Sequence, residues 1–200
     1  EISACLVGSE MCIRDSQGSS LAVVGSTGAG KTTLVKVMAW LYEAETGRVE
    51  IGDRDRGGLD RETYRRRVGV VGQAPHLFDT TIAENIRYAR PDATDAEVEA
   101  AARRSGAILA IARLPRGFHY QVDDGGSNLA QGHRQLIALA RAELAGTDLL
   151  LLDEATAHLD AASQSAVMDA VAATDATTVI VAHRLATAAR CDRIAVMEHG

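Results

Sequence analysis

The 200-residue sequence predicts an α/β fold: a mostly parallel, doubly wound sheet with an α-helical subdomain inserted in it. Three observations predict this. Short apolar runs alternate along the chain with segments of helical periodicity, which is the pattern of repeated strand and crossover-helix units. Residues 25–32 complete G-x-x-x-x-G-K-[ST], with an apolar run before them and a helical pattern after, the setting a phosphate-binding loop needs. Four leucines, Leu149 to Leu152, run into Asp153 and Glu154, so a buried strand delivers two carboxylates at its carboxyl end, where such sheets bind ligands.

Taken in order, residues 1–17 do not match the rest of the chain. They hold Cys5 and Cys12, two of the three cysteines, and lack the basic start and longer apolar core of a signal peptide. They resemble translated sequencing-adaptor tails, and this reading sets them aside as a non-native leader, with the domain proper at 18–200. Residues 18–24 lead into the phosphate loop as the first native strand, and Leu34 to Tyr42 continue a helix opening at Lys31. Gly47 to Gly52 alternates between glycines as a short strand, Leu59 to Arg67 reads as a short helix and Val68 to Gly72 as a buried strand ending at Gln73. Pro91 to Arg113 carries Asp92 and Thr94 as start signals, so about 91–145 is expected to form the helical insertion. From Gln131 to Ala145, Leu136, Ile137, Leu139, Ala140 and Leu144 share one helical face. After the Leu149 strand come a helix at 161–173, a strand at 177–182 ending at His183, a helical turn at 186–190 and a last strand at 193–197.

The loop defines a phosphate cradle. Gly25, Gly28 and Gly30 open conformations closed to other residues, so that backbone N–H groups of Gly25, Ser26, Thr27, Gly28, Ala29 and Gly30 turn inward, and the helix opening at Lys31 adds its positive end. Lys31 reaches the β- and γ-phosphates, the Thr32 hydroxyl ligates Mg²⁺, and Thr33 completes the turn. Asp153, about 120 residues downstream, joins the metal shell of Thr32, while Glu154 extends past it to orient or deprotonate water. Taken singly, a glycine-rich turn or an acidic helix cap would explain each stretch; a paired cradle and carboxylate strand make the nucleotide site of a P-loop NTPase core that takes Mg²⁺, and the family resemblance given below implies ATP as the nucleotide.

A formal charge of −6 and a pI near 5.5 argue against a nucleic-acid surface, and Arg65, Arg66 and Arg67 form the one tight basic run, read as a solvated face. The longest apolar runs fall far short of the roughly 20 residues of a membrane helix. Three cysteines without metal spacing give no disulfide framework, which suits a reducing, cytosolic setting.

From residue 18 to its end the chain resembles the nucleotide-binding domain of ATP-binding cassette (ABC) transporters. The phrase Pro75-His-Leu-Phe-Asp-Thr-Thr-Ile-Ala-Glu-Asn-Ile after Gln73 carries the likeness, as does Val-Ala-His183-Arg; Phe78 to Arg87 and Val122 to Gly126 look most like the exporter branch, although Gln-Val-Asp-Asp-Gly-Gly departs from that branch's Val-Gly-Glu. The resemblance implies that Gln73 touches Mg²⁺ and water and faces a membrane domain, that Asp160 is the D-loop aspartate and that His183 contacts the γ-phosphate. It also implies a signature, Leu-Ser-Gly-Gly-Gln, offered to ATP on the opposite subunit. Here the signature reads Leu129-Ala130-Gln131-Gly132-His133, so that a hydroxyl, one glycine and a glutamine are replaced while Gly132 and the adjoining Arg134-Gln135 remain.

The resemblance therefore implies an ATPase that powers export, with a transmembrane domain and a second nucleotide-binding domain as partners, at the cytoplasmic face of the cell membrane. The degenerate signature favours a heteromeric assembly or a slow homodimer. The alternatives are a soluble cassette ATPase of DNA repair or translation, a P-loop kinase, and a regulatory half that binds ATP without hydrolysis. The family's adenine-stacking aromatic would lie upstream of the loop, where residues 1–17 hold no aromatic residue; the family usually continues past the equivalent of Gly200, so a fragment truncated at both ends is expected.

Overall fold

The computed structural model describes residues 2–6, 11–15, 18–43, 48–51, 54–155 and 159–198. Its strands and helices are, in order, β1 (Ile2–Leu6), β2 (Met11–Asp15), β3 (Ser20–Gly25), α1 (Lys31–Met38), β4 (Arg48–Ile51), β5 (Arg54–Asp55), α2 (Arg61–Arg66), β6 (Val68–Val71), β7 (Thr80–Thr81) and α3 (Ile82–Arg87). After these come α4 (Asp95–Arg104), α5 (Ala107–Ala112), β8 (Gln121–Val122), α6 (Gln131–Ala145), β9 (Leu149–Asp153), α7 (Ala161–Ala172), β10 (Thr177–Val181), α8 (Leu185–Ala188) and β11 (Arg193–Met197). They belong to two compact units, one of residues 1–70, 148–154 and 175–200, the other of 71–147 and 155–174.

The first unit is built on a five-stranded sheet of order β11-β3-β10-β9-β6, in which β11, β3, β10 and β9 run parallel. Leu149 to Leu152 of β9 and all of β10 are buried, as expected of parallel strands covered on both faces. The period of two divides β3 between two cores. Leu21 and Val23 join Leu34, Val35 and Met38 of α1, with Leu149, Leu151, Val179 and Val181, while Ala22 and Val24 face Ala182 and Ala188 at α8. Helices thus cover the sheet on both faces, as the sequence predicts.

A second, antiparallel sheet of order β2-β1-β4-β5 adjoins in the same unit. Within the stretch that the sequence reading set aside, Ile2–Leu6 and Met11–Asp15 supply two of its strands, with Ile2 to Cys5 paired to Ile51 to Arg48. Ile2, Ala4 and Leu6 alternate with Ser3 and Cys5, and that alternation is the strand signal that the odd composition obscured.

Helix α1 ends at Met38, short of the expected Tyr42, because Trp40 turns left-handed at φ 54°. Its last carbonyls are taken by long side chains: Arg56 donates to Val37 O, the Tyr64 hydroxyl to Met38 O, and Arg61 and Arg65 each to Trp40 O at 2.8 Å. Cationic donors at a helix C-terminus oppose its negative end. The basic run is exposed, as expected, and its charges are paired, Arg66 with Glu62 and Arg67 with Asp148.

In the second unit α6 packs against α3, α4, α5 and α7. Helix α4 opens on a complete capping box, with Thr94 and Glu97 satisfying each other's backbone N–H. Within 91–113, expected as part of the helical insertion, two helices form, divided at Gly106, whose φ of 69° no continuous helix contains.

Candidate nucleotide site

The cradle forms where β3 hands over to α1. A Cβ on Gly25 would lie 2.3 Å from Met197 O of β11, so the close approach of two strands requires glycine there. Gly28 and Gly30 take φ of 86° and 89°, turning the backbone around the loop. Gly30 caps α1 without a side-chain bond, which leaves the first N–H groups of the helix to an anion.

Lys31 is 6% exposed, and its Nζ donates to Gly25 O at 3.0 Å and Ser26 O at 2.8 Å. An ammonium has three protons, so one remains for a phosphate oxygen. The Thr32 hydroxyl donates to Asp153 Oδ1 at 3.1 Å. Burial pushes the Asp153 carboxyl up from its ordinary value, and the Glu154 carboxylate adds to the rise; the Thr32 hydrogen bond and the Lys36 and His183 charges oppose it.

Glu154 follows Asp153 with φ 54°, an uncommon conformation for a residue with a side chain. Its Oε1 lies 2.8 Å from His183 Nε2. A carboxylate only accepts, so the bond places a proton on that ring nitrogen. Thr27, Gly28, Gly30, Lys31, Thr32, Thr33, Glu154 and His183 line an open cavity of about 260 Å³. Its chemistry is cationic at Lys31, anionic at Glu154 and rich in hard oxygen. A hydroxyl beside a desolvated carboxylate suits Mg²⁺, which takes one or two protein oxygens and completes its shell with water and phosphate.

The structure therefore brings together Lys31, Thr32, Asp153, Glu154, His183 and the cradle, all in the first unit. The other sequence-derived residues belong to the second unit. Gln73 is exposed two residues past β6, and its carbonyl accepts from Gln131 Nε2 at 2.9 Å and Gln135 Nε2 at 3.3 Å. Asp160 caps α7, accepting from the Ala162 and Ser163 N–H groups at 3.0 Å each and from the Ser163 hydroxyl, bonds that hold its carboxyl below the ordinary range.

Leu129 is buried, Ala130 caps α6 with no side-chain bond, and Gln131 opens the helix. A Cβ on Gly132 would meet Ser163 Cβ and Oγ at 2.9 Å, so packing of α6 on α7 accounts for this glycine. Sequence reasoning gave no role to Gln135, Asn85 or Arg141, each a polar side chain spent on backbone carbonyls between Gln73 and Phe78. Only their place on apolar helix faces could have singled them out.

A five-stranded α/β sheet with this loop, a hydroxyl-carboxylate pair and a carboxylate-histidine pair defines a P-loop nucleotide-binding domain. Residues 10–157 match the sequence model of the family described as ABC transporter, and the chain belongs to that family. It is 47% identical over 190 residues to a multidrug efflux ATP-binding/permease protein of Mycobacterium bovis, covering 94% of this chain and 16% of that protein. It is 40% identical to ATP-binding cassette sub-family B member 5 of Homo sapiens, over 94% of this chain and 15% of that protein. Among solved structures, a bacterial Atm1-family ABC exporter with ATP bound superposes with a TM-score of 0.87 at 35% identity, over 96% of this chain and 34% of the other. The chain thus spans about one sixth to one third of the length of these relatives.

Proposed function

We propose that this chain binds and hydrolyses ATP with Mg²⁺ and so powers export through a transmembrane domain, working with a second nucleotide-binding domain at the cytoplasmic face of a membrane. The observation that carries the reading is the convergence on one cavity of Lys31, Thr32 and the Glu154–His183 pair, with Asp153 bonded to the Thr32 hydroxyl behind it. The cradle N–H groups and Lys31 bind the β- and γ-phosphates. Thr32 and Asp153 would hold Mg²⁺, with Gln73 as a further candidate ligand, and the metal would supply charge neutralisation at the phosphate oxygens. Glu154 accepts the proton of the attacking water, and His183 orients that carboxylate through Nε2 and faces the γ-phosphate.

Export is favoured over DNA repair or translation by the names of the relatives, which are efflux and exporter proteins. A P-loop kinase has no need of the Glu154–His183 pair. Among the described residues no helix is long and apolar enough to cross a membrane, so transport calls for a membrane domain beyond them. The signature offered to the partner, Leu129, Ala130, Gln131, Gly132 and His133, lacks a hydroxyl at Ala130, which supports a heteromeric assembly or a slow homodimer over a fast symmetric one.

Glu154→Gln tests the reading. It should leave ATP affinity within about threefold and lower turnover by roughly 10² to 10⁴-fold, the usual worth of general-base assistance. Unaltered turnover in the assembled transporter would remove Glu154 from the catalytic role, and unaltered turnover with equal ATP affinity would leave a binding-only regulatory half as the better account.

A further inference from the structure

The backbone carbonyl of Gln73 is held by the first turn of α6. Gln131 Nε2 donates to it at 2.9 Å and Gln135 Nε2 at 3.3 Å, from positions i and i+4, which share a helix face. Farther along α6, Arg141 donates to His76 O at 3.3 Å and to Asn85 O at 2.9 Å, with its guanidinium 5.5 Å from the Phe78 and Tyr88 ring centres. Asn85 in turn accepts from Phe78 N at 2.9 Å and donates to Phe78 O at 3.0 Å. The segment from Gln73 to Phe78 is thus tied to α6 by polar side chains at its start and middle, and at its end to Asn85 of α3, whose carbonyl Arg141 of α6 holds.

Gln135 is fully buried, and its Oε1 has no hydrogen-bond partner among the described residues. A buried amide with one end unsatisfied costs stability that an apolar residue of similar volume would not. What the amide provides in return is its bond to Gln73. Gln131, half-buried at the helix start, spends its side chain on the same atom.

We propose that Gln131 and Gln135 are positioning residues, which fix the backbone of Gln73 to α6 and thereby set where the Gln73 side chain is carried. Any movement of the first turn of α6 is then passed to Gln73 without an intervening joint. The inference rests on Gln73 belonging to the nucleotide site.

The test uses Gln131→Glu, because a carboxylate has no proton to donate to a carbonyl, with Gln131→Lys as the variant that restores a donor. In the nucleotide-free chain, Gln131→Glu should speed amide hydrogen exchange of residues 72–76 by roughly 3- to 10-fold, the worth of one net hydrogen bond. ATP hydrolysis should slow by a similar factor with KM for ATP unchanged, and Gln131→Lys should recover both. In a Gln73→Ala background the carbonyl remains but the positioned side chain is gone, so Gln131→Glu should still speed exchange and no longer slow hydrolysis. An equal loss of rate in both backgrounds, faster exchange with an unchanged rate, or no change in exchange would each overturn the proposal. If Lys31→Ala leaves ATP affinity unchanged, the nucleotide reading fails on its own evidence, while the exchange result still decides whether Gln131 holds Gln73.

Discussion

Asp153 shows how a single residue of the site is placed against its own solvation. The strand of leucines before it is buried, so its carboxylate is carried to the carboxyl end of the strand with part of its hydration removed, and burial is the main reason its proton is held more tightly than usual. A carboxyl whose affinity for protons is higher in the folded than in the unfolded chain subtracts stability once it ionises. The penalty is absent below the ordinary carboxylate range and full above the raised value. Asp153→Asn should therefore raise the melting temperature of the nucleotide-free chain at neutral pH by about 1–3 °C, a modest gain because the group is only partly buried. The gain should shrink as pH falls toward the ordinary carboxylate range. Thermal unfolding at several pH values checks it, and an equal gain at every pH would show that charge is not the cause.

At the scale of elements, α6 was legible to the residue, Gln131 to Ala145, because its apolar positions from Leu136 to Leu144 keep one face over about two and a half turns. The last strand, Arg193 to Met197, was legible too, as a short run closing a series of alternating units. Helix α3 was passed over although Thr81-Ile-Ala-Glu84 carries a start signature, with the Thr81 hydroxyl accepting from Glu84 N at 3.2 Å; six residues are too few for periodicity to show. The end of α1 had no glycine or proline to mark it, since an aromatic residue, Trp40, takes the left-handed turn. Gly132 reads from sequence as a ligand contact, and the structure gives it a packing role against Ser163. Gly132→Ala should accordingly destabilise the chain by about 1–3 kcal/mol, the range for overpacking. Ser163→Gly in the same chain should recover part of that loss, measured by denaturant unfolding; no loss in Gly132→Ala would leave the phosphate contact as the reason for this glycine.

For the whole molecule, the strand-end placement of the cradle, Asp153, Glu154 and His183 was legible because it follows a pattern that phosphate chemistry demands. The partners of Gln73 were not, since Gln131 and Gln135 lie 58 and 62 residues away and nothing local announces them. Under the proposed function, a chain with a whole cradle and an altered signature would give a partner domain less than it receives. Ala130→Ser with His133→Gln, which leaves the Gln131 bond to Gln73 in place, should raise ATPase activity in a self-associated sample by roughly 10-fold or more, the worth of a hydrogen bond to a charged group. No gain with dimerisation intact would show that the signature does not limit turnover.

The central claim is that residues 25–33 form the phosphate site, and Lys31 carries it most directly. Its Nζ rests on two loop carbonyls at 3.0 and 2.8 Å, so its loss removes the one buried cation of the cradle while Thr32 and the loop glycines stay in place. Titration of the chain and of Lys31→Ala with a fluorescent ATP analogue in the presence of Mg²⁺ should show affinity falling roughly 10- to 100-fold in the variant. Equal affinity in the two proteins would contradict the account.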